Sequence, residues 1–175
     1  DEWPPPKTED GRRGLLPLRP SGETGGDPDG IGRDHDRLYG VSAKAAVSPY
    51  ESVHRGVEHL VFDEATLQVR DAYRELGLQA PLLNREPDDH IGLEFDFLAR
   101  ALLEAGDLLE AGEAAAAQHR LAIAETFLRD HLLPWAPAML QQVTAVARTH
   151  FMQGIGWLSL GALASYQAAL DASTH

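Results

Sequence analysis

The chain contains no cysteine. Disulfides, thiolate metal sites and a cysteine nucleophile are therefore excluded, and the absence is compatible with a cytoplasmic location. Basic residues are scarce as well: 15 Lys and Arg stand against 27 Asp and Glu, giving a net charge of −12. General nucleic-acid binding needs a positive field that displaces counterions, so it is not expected here. Docking on an anionic membrane surface is disfavoured for the same reason. An acidic surplus suits a soluble protein that attracts basic peptides. Long apolar runs are missing too. The most apolar stretch, Phe151 to Leu163, is interrupted by Gln153 and Ser159 and is too short to span a bilayer comfortably, so no stable membrane insertion is expected. No basic-then-apolar signal peptide is visible at the start. Sustained alternation with β-branched residues is absent, which argues against strands, and no repeat of fixed period occurs. There is no Gly-x-Ser-x-Gly element. The glycine-rich stretch Gly25 to Gly32 lacks the Lys-Ser/Thr ending of a phosphate loop. With no positioned nucleophile or oxyanion donor beside its histidines, the chain offers no catalytic residue and implies no cofactor.

What is present reads as helix. The 175 residues suffice for one domain with a substantial core. Residues 1–36 carry Pro4-Pro5-Pro6 and Gly25-Gly-Asp-Pro-Asp-Gly30, few apolar residues and no period. They read as an irregular, linker-like arm. The remainder, 37–175, reads as a single helical bundle. Leu38, Tyr39 and Val41 suggest a short apolar contact, and Tyr50, Val53 and Val57 would suit a helical turn. Asp63 is a good N-cap, with Phe62 and Leu67 spaced as a hydrophobic staple. Ala65, Val69, Tyr73 and Leu76 mark a buried face, and Gly77 a stop. Pro81 and Asn84 indicate a loop. A helix is expected from Glu113 to about His131. Pro134 and Pro137 then punctuate the chain around Trp135, before a helix from Ala138 through Ala147. A last helix, from about Thr149 to Leu170, should bury Phe151, Ile155, Leu158 and Ala162. Its Gly154, Gly156 and Gly161 each lower helix propensity by about 1 kcal/mol relative to alanine, a cost that close approach by another helix would offset.

The segment Glu86-Pro-Asp-Asp-His-Ile-Gly-Leu-Glu-Phe-Asp-Phe-Leu98 organises the rest. Pro87 suits a helix opening, and Asp88 and Asp89 would then complement the dipole in the first turn. Ile91, Phe95, Leu98 and Leu102 recur at helical spacing as a buried stripe. His90 and Glu94 are four apart and share a face beside it. An imidazole and three carboxylates gather where a polar segment becomes a core helix. They could simply cap it, or they could form a recognition site.

The same segment resembles the signature of the TorD/DmsD family. Three further landmarks occur in the family's order: Ser48-Pro-Tyr-Glu-Ser-Val53, His131-Leu-Leu-Pro-Trp-Ala136 and His150-Phe-Met-Gln-Gly-Ile-Gly-Trp-Leu158. Together they cover roughly residues 38–170. The resemblance implies an all-α fold and a cytoplasmic chaperone, not an enzyme. Such a chaperone binds the twin-arginine signal peptide and the apo-form of a molybdopterin oxidoreductase precursor. It implies peptide-binding roles around Glu86, Pro87, Asp88, Asp89, His90 and Glu94, with Asp89 and His90 at the family's Asp-His positions. Pro49 and Tyr50 match its Pro-aromatic element. Carboxylates accept bidentate hydrogen bonds from guanidinium groups, and a groove between helices can bury an apolar peptide segment. Family members usually begin with one or two amphipathic helices that residues 1–36 do not supply, so segment exchange in a homodimer is a further expectation.

Two other classes compete with this reading. Glu51-x-x-His54 has the spacing used in di-iron bundles, and with His90 and Glu94 it would make a metal-dependent helical-bundle enzyme. The second Glu-x-x-His that such sites need is missing, so no metal site is expected. Trp135 reads as a packing anchor, and His131 as a favourable charge at a helix C-terminus. The remaining alternative is a non-catalytic assembly subunit.

Overall fold

The structure is a computed structural model that describes residues 6–23, 27–40, 45–56, 60–82 and 85–173. Pro4, Pro5, Gly25, Gly26, Val41, Val57 and Asn84, which carry some of the expectations above, lie outside the described residues. The fold is all-α, and no strand occurs among the described residues. In chain order the helices are α1 (Glu9–Glu23), α2 (Pro28–Tyr39), α3 (Glu51–Arg55), α4 (Glu64–Glu75), α5 (Ile91–Glu110), α6 (Ala114–Phe127), α7 (Leu133–Val146) and α8 (His150–Ser173). A π-helical turn, Leu128–Leu132, joins α6 to α7. The chain divides into two compact units, Asp1–Ser48 with Pro137–His175, and Pro49–Ala136.

The arm expected to be irregular is helical, and the reason is tertiary. Thr8 opens α1 by accepting from Gly11 N at 3.1 Å, and its hydroxyl donates to Gly161 O in α8 at 3.2 Å. Gly11 and Gly14 on α1 meet Gly154 and Gly161 on α8. A Cβ at Gly14 would lie 2.7 Å from Leu158 N, and one at Gly154 would lie 2.6 Å from Leu18 Cγ. The glycines of α8 do permit close approach by another helix, as their spacing suggested. Gly156 does the same toward α7, where an added Cβ would meet Thr144 Cγ2 at 2.8 Å. The buried face of α8 is Met152, Gly156, Leu160 and Leu163. Phe151, Leu158 and Ala162 are only half-buried and Ile155 is exposed, so the expected stripe is rotated from the true one.

Helix α2 starts at a conventional signal. Asp27 caps it by accepting from Gly30 N at 3.0 Å, and Pro28 takes the first helical position. Its buried Asp34 reaches the start of α8. Asp34 Oδ2 accepts from Arg148 N and Thr149 N at 2.8 Å each and from the Thr149 hydroxyl at 3.1 Å, while Oδ1 accepts from Arg37 at 2.8 Å. Burial pushes this carboxyl up. The Thr149 N–H, the Arg37 guanidinium, the Arg148 N–H and the Thr149 hydroxyl outweigh it and hold the group below its usual value.

In the Pro49–Ala136 unit, α5 and α6 pack side by side around Phe97, Ala101, Ala105, Ala117, Ala124 and Phe127. Helix α4 spans the stretch its N-cap Asp63 and its stop Gly77 (φ +68) prescribe. It buries Thr66, Val69 and Tyr73, while Ala65 and Leu76 are half-buried. Phe62 and Leu67 are both exposed. The break expected at Pro134 and Pro137 is not a break. The π-turn shifts the bonding so that Leu133 N donates to Leu128 O, five residues back, and the helical path continues through Pro137 inside α7.

Candidate functional site

The signature segment is built by two short stretches that pair before either becomes a helix. Ile91 N donates to Pro49 O at 2.8 Å and Glu51 N to Asp89 O at 3.0 Å, so Tyr50 and His90 form an isolated antiparallel bridge. Their rings meet edge to face with centroids 5.4 Å apart. Asp89 O and Ile91 N are spent on this pairing, and α5 begins at Ile91 and not near Pro87. His90 is its N-cap, its Nδ1 accepting from Gly92 N at 3.0 Å. A ring that accepts at Nδ1 carries its neutral-form proton on Nε2. Pro87 is buried in the bent stretch that precedes α5, and Asp88 and Asp89 are not in a helical first turn.

The carboxylates face inward. Asp89 is fully buried, Oδ2 accepting from Ser52 N at 2.7 Å and Oδ1 from the Thr66 hydroxyl at 2.7 Å. Asp88 is fully buried and paired with Arg70 of α4, and its carbonyl accepts from the Tyr73 hydroxyl at 3.0 Å. A side chain from α3 and two from α5 and α7 complete the interior. Glu51 accepts from His131 Nδ1 at 3.0 Å and from Arg55, which also donates to Asp130 O at 2.7 Å. Glu94 Oε2 accepts from Trp135 Nε1 at 3.3 Å, and Glu94 lies within side-chain hydrogen-bond reach of Glu51. Burial, then the charges of Glu51 and Asp89, push the Glu94 carboxyl well above its ordinary value. This favours the protonated form of Glu94, which can donate to Glu51. His54 stacks on Trp135 with centroids 5.1 Å apart.

Of the eight residues singled out in the sequence, Asp88, Asp89 and Glu94 are interior braces, and Pro49 and Pro87 are buried. His90 and Tyr50 are half-buried, and Glu86 is exposed. Glu86 and Tyr50 are electrostatic neighbours: burial first, then the charges of Glu86 and Asp89, push the Tyr50 phenol up. The four residues of the metal-enzyme alternative are not gathered into one site. Glu51 and Glu94 meet inside, while His90 caps α5 and His54 lies on Trp135. Among the described residues no group of three or more His, Asp or Glu could hold a metal ion. Sequence reasoning missed Thr66, Arg70 and the Glu51–His131 contact. Thr66 and Arg70, four apart and flanking the apolar Val69 on α4, were a signal that this helix carries polar braces. His131 is not a mere dipole partner; the π-turn aims it at Glu51. Trp135 is a buried anchor as expected, with a hydrogen-bonding role in addition.

Residues 25–141 match the model of the family described as nitrate reductase delta subunit. The chain is 35% identical over 122 residues to the Tat proofreading chaperone DmsD of Salmonella typhi, covering 70% of this chain and 53% of the relative. It is 29% identical over 122 residues to the probable Tat proofreading chaperone DmsD of Haemophilus influenzae, with the same coverage of each. To the chaperone protein TorD of Photobacterium profundum it is 30% identical over 116 residues, covering 66% of this chain and 52% of the relative. The chain thus spans about half the length of the curated relatives it matches. With Pro49-Tyr50 and Glu86-Pro-Asp-Asp-His90 paired in space, and most of its length matched by one family model, the chain belongs to the nitrate reductase delta subunit family, the TorD/DmsD family.

Proposed function

We propose that this chain acts as a cytoplasmic, system-specific chaperone. It binds the twin-arginine signal peptide and the immature form of a molybdopterin oxidoreductase, and it performs no bond-making chemistry. Its preference is for the immature client, so that release follows cofactor insertion. Relatives that carry the name Tat proofreading chaperone support this reading, as does the net charge of −12.

The observation that carries it is the braced loop Glu86–His90. Asp88 and Asp89 hold the loop from inside, which leaves Glu86 exposed on the outer side, its charge felt by the half-buried Tyr50. An exposed carboxylate near an aromatic ring suits a guanidinium group, by charge-assisted hydrogen bonding and by stacking. In this reading Glu86, Tyr50 and His90 touch the peptide. Pro49, Pro87, Asp88, Asp89 and Glu94 shape the surface it meets.

Calorimetric titration with a synthetic twin-arginine leader tests the proposal. Tight binding is expected, weakened when both arginines of the peptide are lysines, because ammonium groups lack the bidentate fork. Glu86→Ala combined with Tyr50→Ala should weaken binding about tenfold or more while helicity is kept. Unchanged affinity in that variant would move the site elsewhere, and failure of any twin-arginine leader to bind would remove the reading. Asp89→Ala is the wrong probe for peptide contact. It strips the acceptors from Ser52 N and Thr66 and should lower stability by about 2–4 kcal/mol, seen as an earlier urea midpoint.

A further inference from the structure

Resting on the reading above, we propose that the apolar stretch of the leader peptide docks on the patch formed by Leu60, Val61 and Phe62 at the entry to α4. Three consecutive large apolar side chains are exposed there, Leu60 by 57%, Val61 by 43% and Phe62 by 50%. A run of exposed apolar residues is disfavoured on a surface unless something covers it. The backbone points the same way. Phe62 has φ +64, the left-handed region that side chains with a Cβ rarely enter, and it is the only non-glycine residue with positive φ among the described residues. Such strain persists where the surrounding structure holds it, often at sites that clamp a ligand.

The patch borders a cleft of about 600 Å³ lined by Arg55, Gly56, Phe62, Asp63, Glu64 and Gln68 among others. Gly56 forms part of the wall because nothing larger fits: an added Cβ would lie 2.5 Å from Asp63 Oδ2. The cationic side chain on the wall, Arg55, is already held by Glu51 and Asp130 O. Asp63 and Glu64 give the rim a negative charge. Apolar Leu60, Val61 and Phe62 beside acidic Asp63 and Glu64 suit an apolar segment that follows a cationic one. That is the order of a signal peptide, whose charged start precedes its apolar region. Helix α3 supplies continuity. It starts beside the Tyr50–His90 bridge, where the arginines are read, and its Arg55 and Gly56 end at the cleft.

The test uses the whole chain and a synthetic twin-arginine leader in calorimetry, with Leu60→Ser and Phe62→Gly on the protein side. A leader whose apolar residues are replaced by serine serves on the peptide side. Phe62→Gly separates binding from folding. Glycine adopts φ +64 without penalty, so the thermal midpoint should hold or rise while affinity for the unmodified leader falls about tenfold. Leu60→Ser should weaken the same leader similarly, and neither variant should change affinity for the serine-substituted leader. Equal affinity of wild type and both variants for the unmodified leader would overturn the docking site and leave the chaperone reading standing. A wild-type chain that binds no leader at all would end both. A concentration-dependent dimer abolished by Leu60→Ser would assign the patch to a second copy of the chain and overturn the proposal.

Discussion

Glu94 holds its proton to higher pH than a free carboxyl because of where it lies. Its carboxyl is fully buried, and Glu51 and Asp89 supply charge of the same sign. The Trp135 N–H favours the ionised form but does not offset them. The neighbourhood also contains His131 and Arg55, both turned on Glu51, and the Tyr73 phenol, itself pushed up by burial and by Glu94. In the unfolded chain Glu94 ionises in the ordinary carboxylate range; in the folded chain it ionises only well above it. Its stabilising contribution is therefore complete below that ordinary range and declines as pH rises toward the folded value. The urea midpoint of the wild type should fall as pH rises above the ordinary carboxylate range. Glu94→Gln retains a donor toward Glu51 and an acceptor for Trp135 but has nothing to ionise, so its midpoint should be flatter there. Parallel curves for the two proteins would show that the proton is not held there. At this scale the sequence was legible as a list of groups and misleading about their direction. Asp88, Asp89, His90 and Glu94 do form one cluster, but the partners that turn the three carboxylates inward, Arg70, Thr66, Ser52 and Trp135, lie between 18 and 41 residues away in the chain.

At the scale of elements, the contact between α1 and α8 is the clearest case of packing overriding propensity. Helix α1 contains Gly11, Gly14 and Pro17, poor helix formers by themselves. It is kept by backbone-to-backbone proximity that only glycine permits: a Cβ on Gly161 would strike Gly11, and one on Gly154 would lie 2.9 Å from Gly14 O. Gly161→Ala should therefore lower stability by about 1–3 kcal/mol despite alanine's better helix propensity. It should also hasten tryptic cleavage at Arg12 and Arg13, followed by mass spectrometry. Gly32→Ala is the control: nothing lies within 4 Å of its added Cβ, so it should be neutral or stabilise by up to about 1 kcal/mol. A Gly161→Ala chain as stable as wild type would show that α1 does not depend on this contact. The start of α2, by contrast, was written in the local sequence as Asp27-Pro28, a cap followed by a first-turn proline. The surrounding glycines obscured it.

Across the whole molecule, the chain leaves the first unit at Ser48 and returns to it at Pro137, within α7. Two helices open the chain, and α1 lies along α8. The segment exchange expected when the opening helices seemed to be missing therefore loses its premise. Light scattering during size exclusion should give the mass of one chain, 19.1 kDa, at all loadings. A stable dimer would restore exchange as the explanation. No helix among the described residues is long and apolar enough to cross a membrane. The acidic surplus of the chain belongs to this scale too, because it sets the sign of the field that an approaching charged molecule meets before any contact forms.

Composition and period determined the helical class and the excluded chemistries, local cap and stop residues the extent of α4 between Asp63 and Gly77, and the residues of the 86–90 segment carried the resemblance to a family. These depend on neighbours within a turn or two, or on sums over the chain, and both are available without a fold. The tertiary structure decided the rest: that Asp88 and Asp89 brace a loop instead of crowning a helix, that a π-turn carries the chain past Pro134, and that glycines 150 residues apart make α1 a helix. Burial, charge pairing and close backbone approach depend on which distant residue arrives alongside. That is why Glu86, Tyr50 and His90 reach the surface, while the carboxylates of Asp88, Asp89 and Glu94 do not.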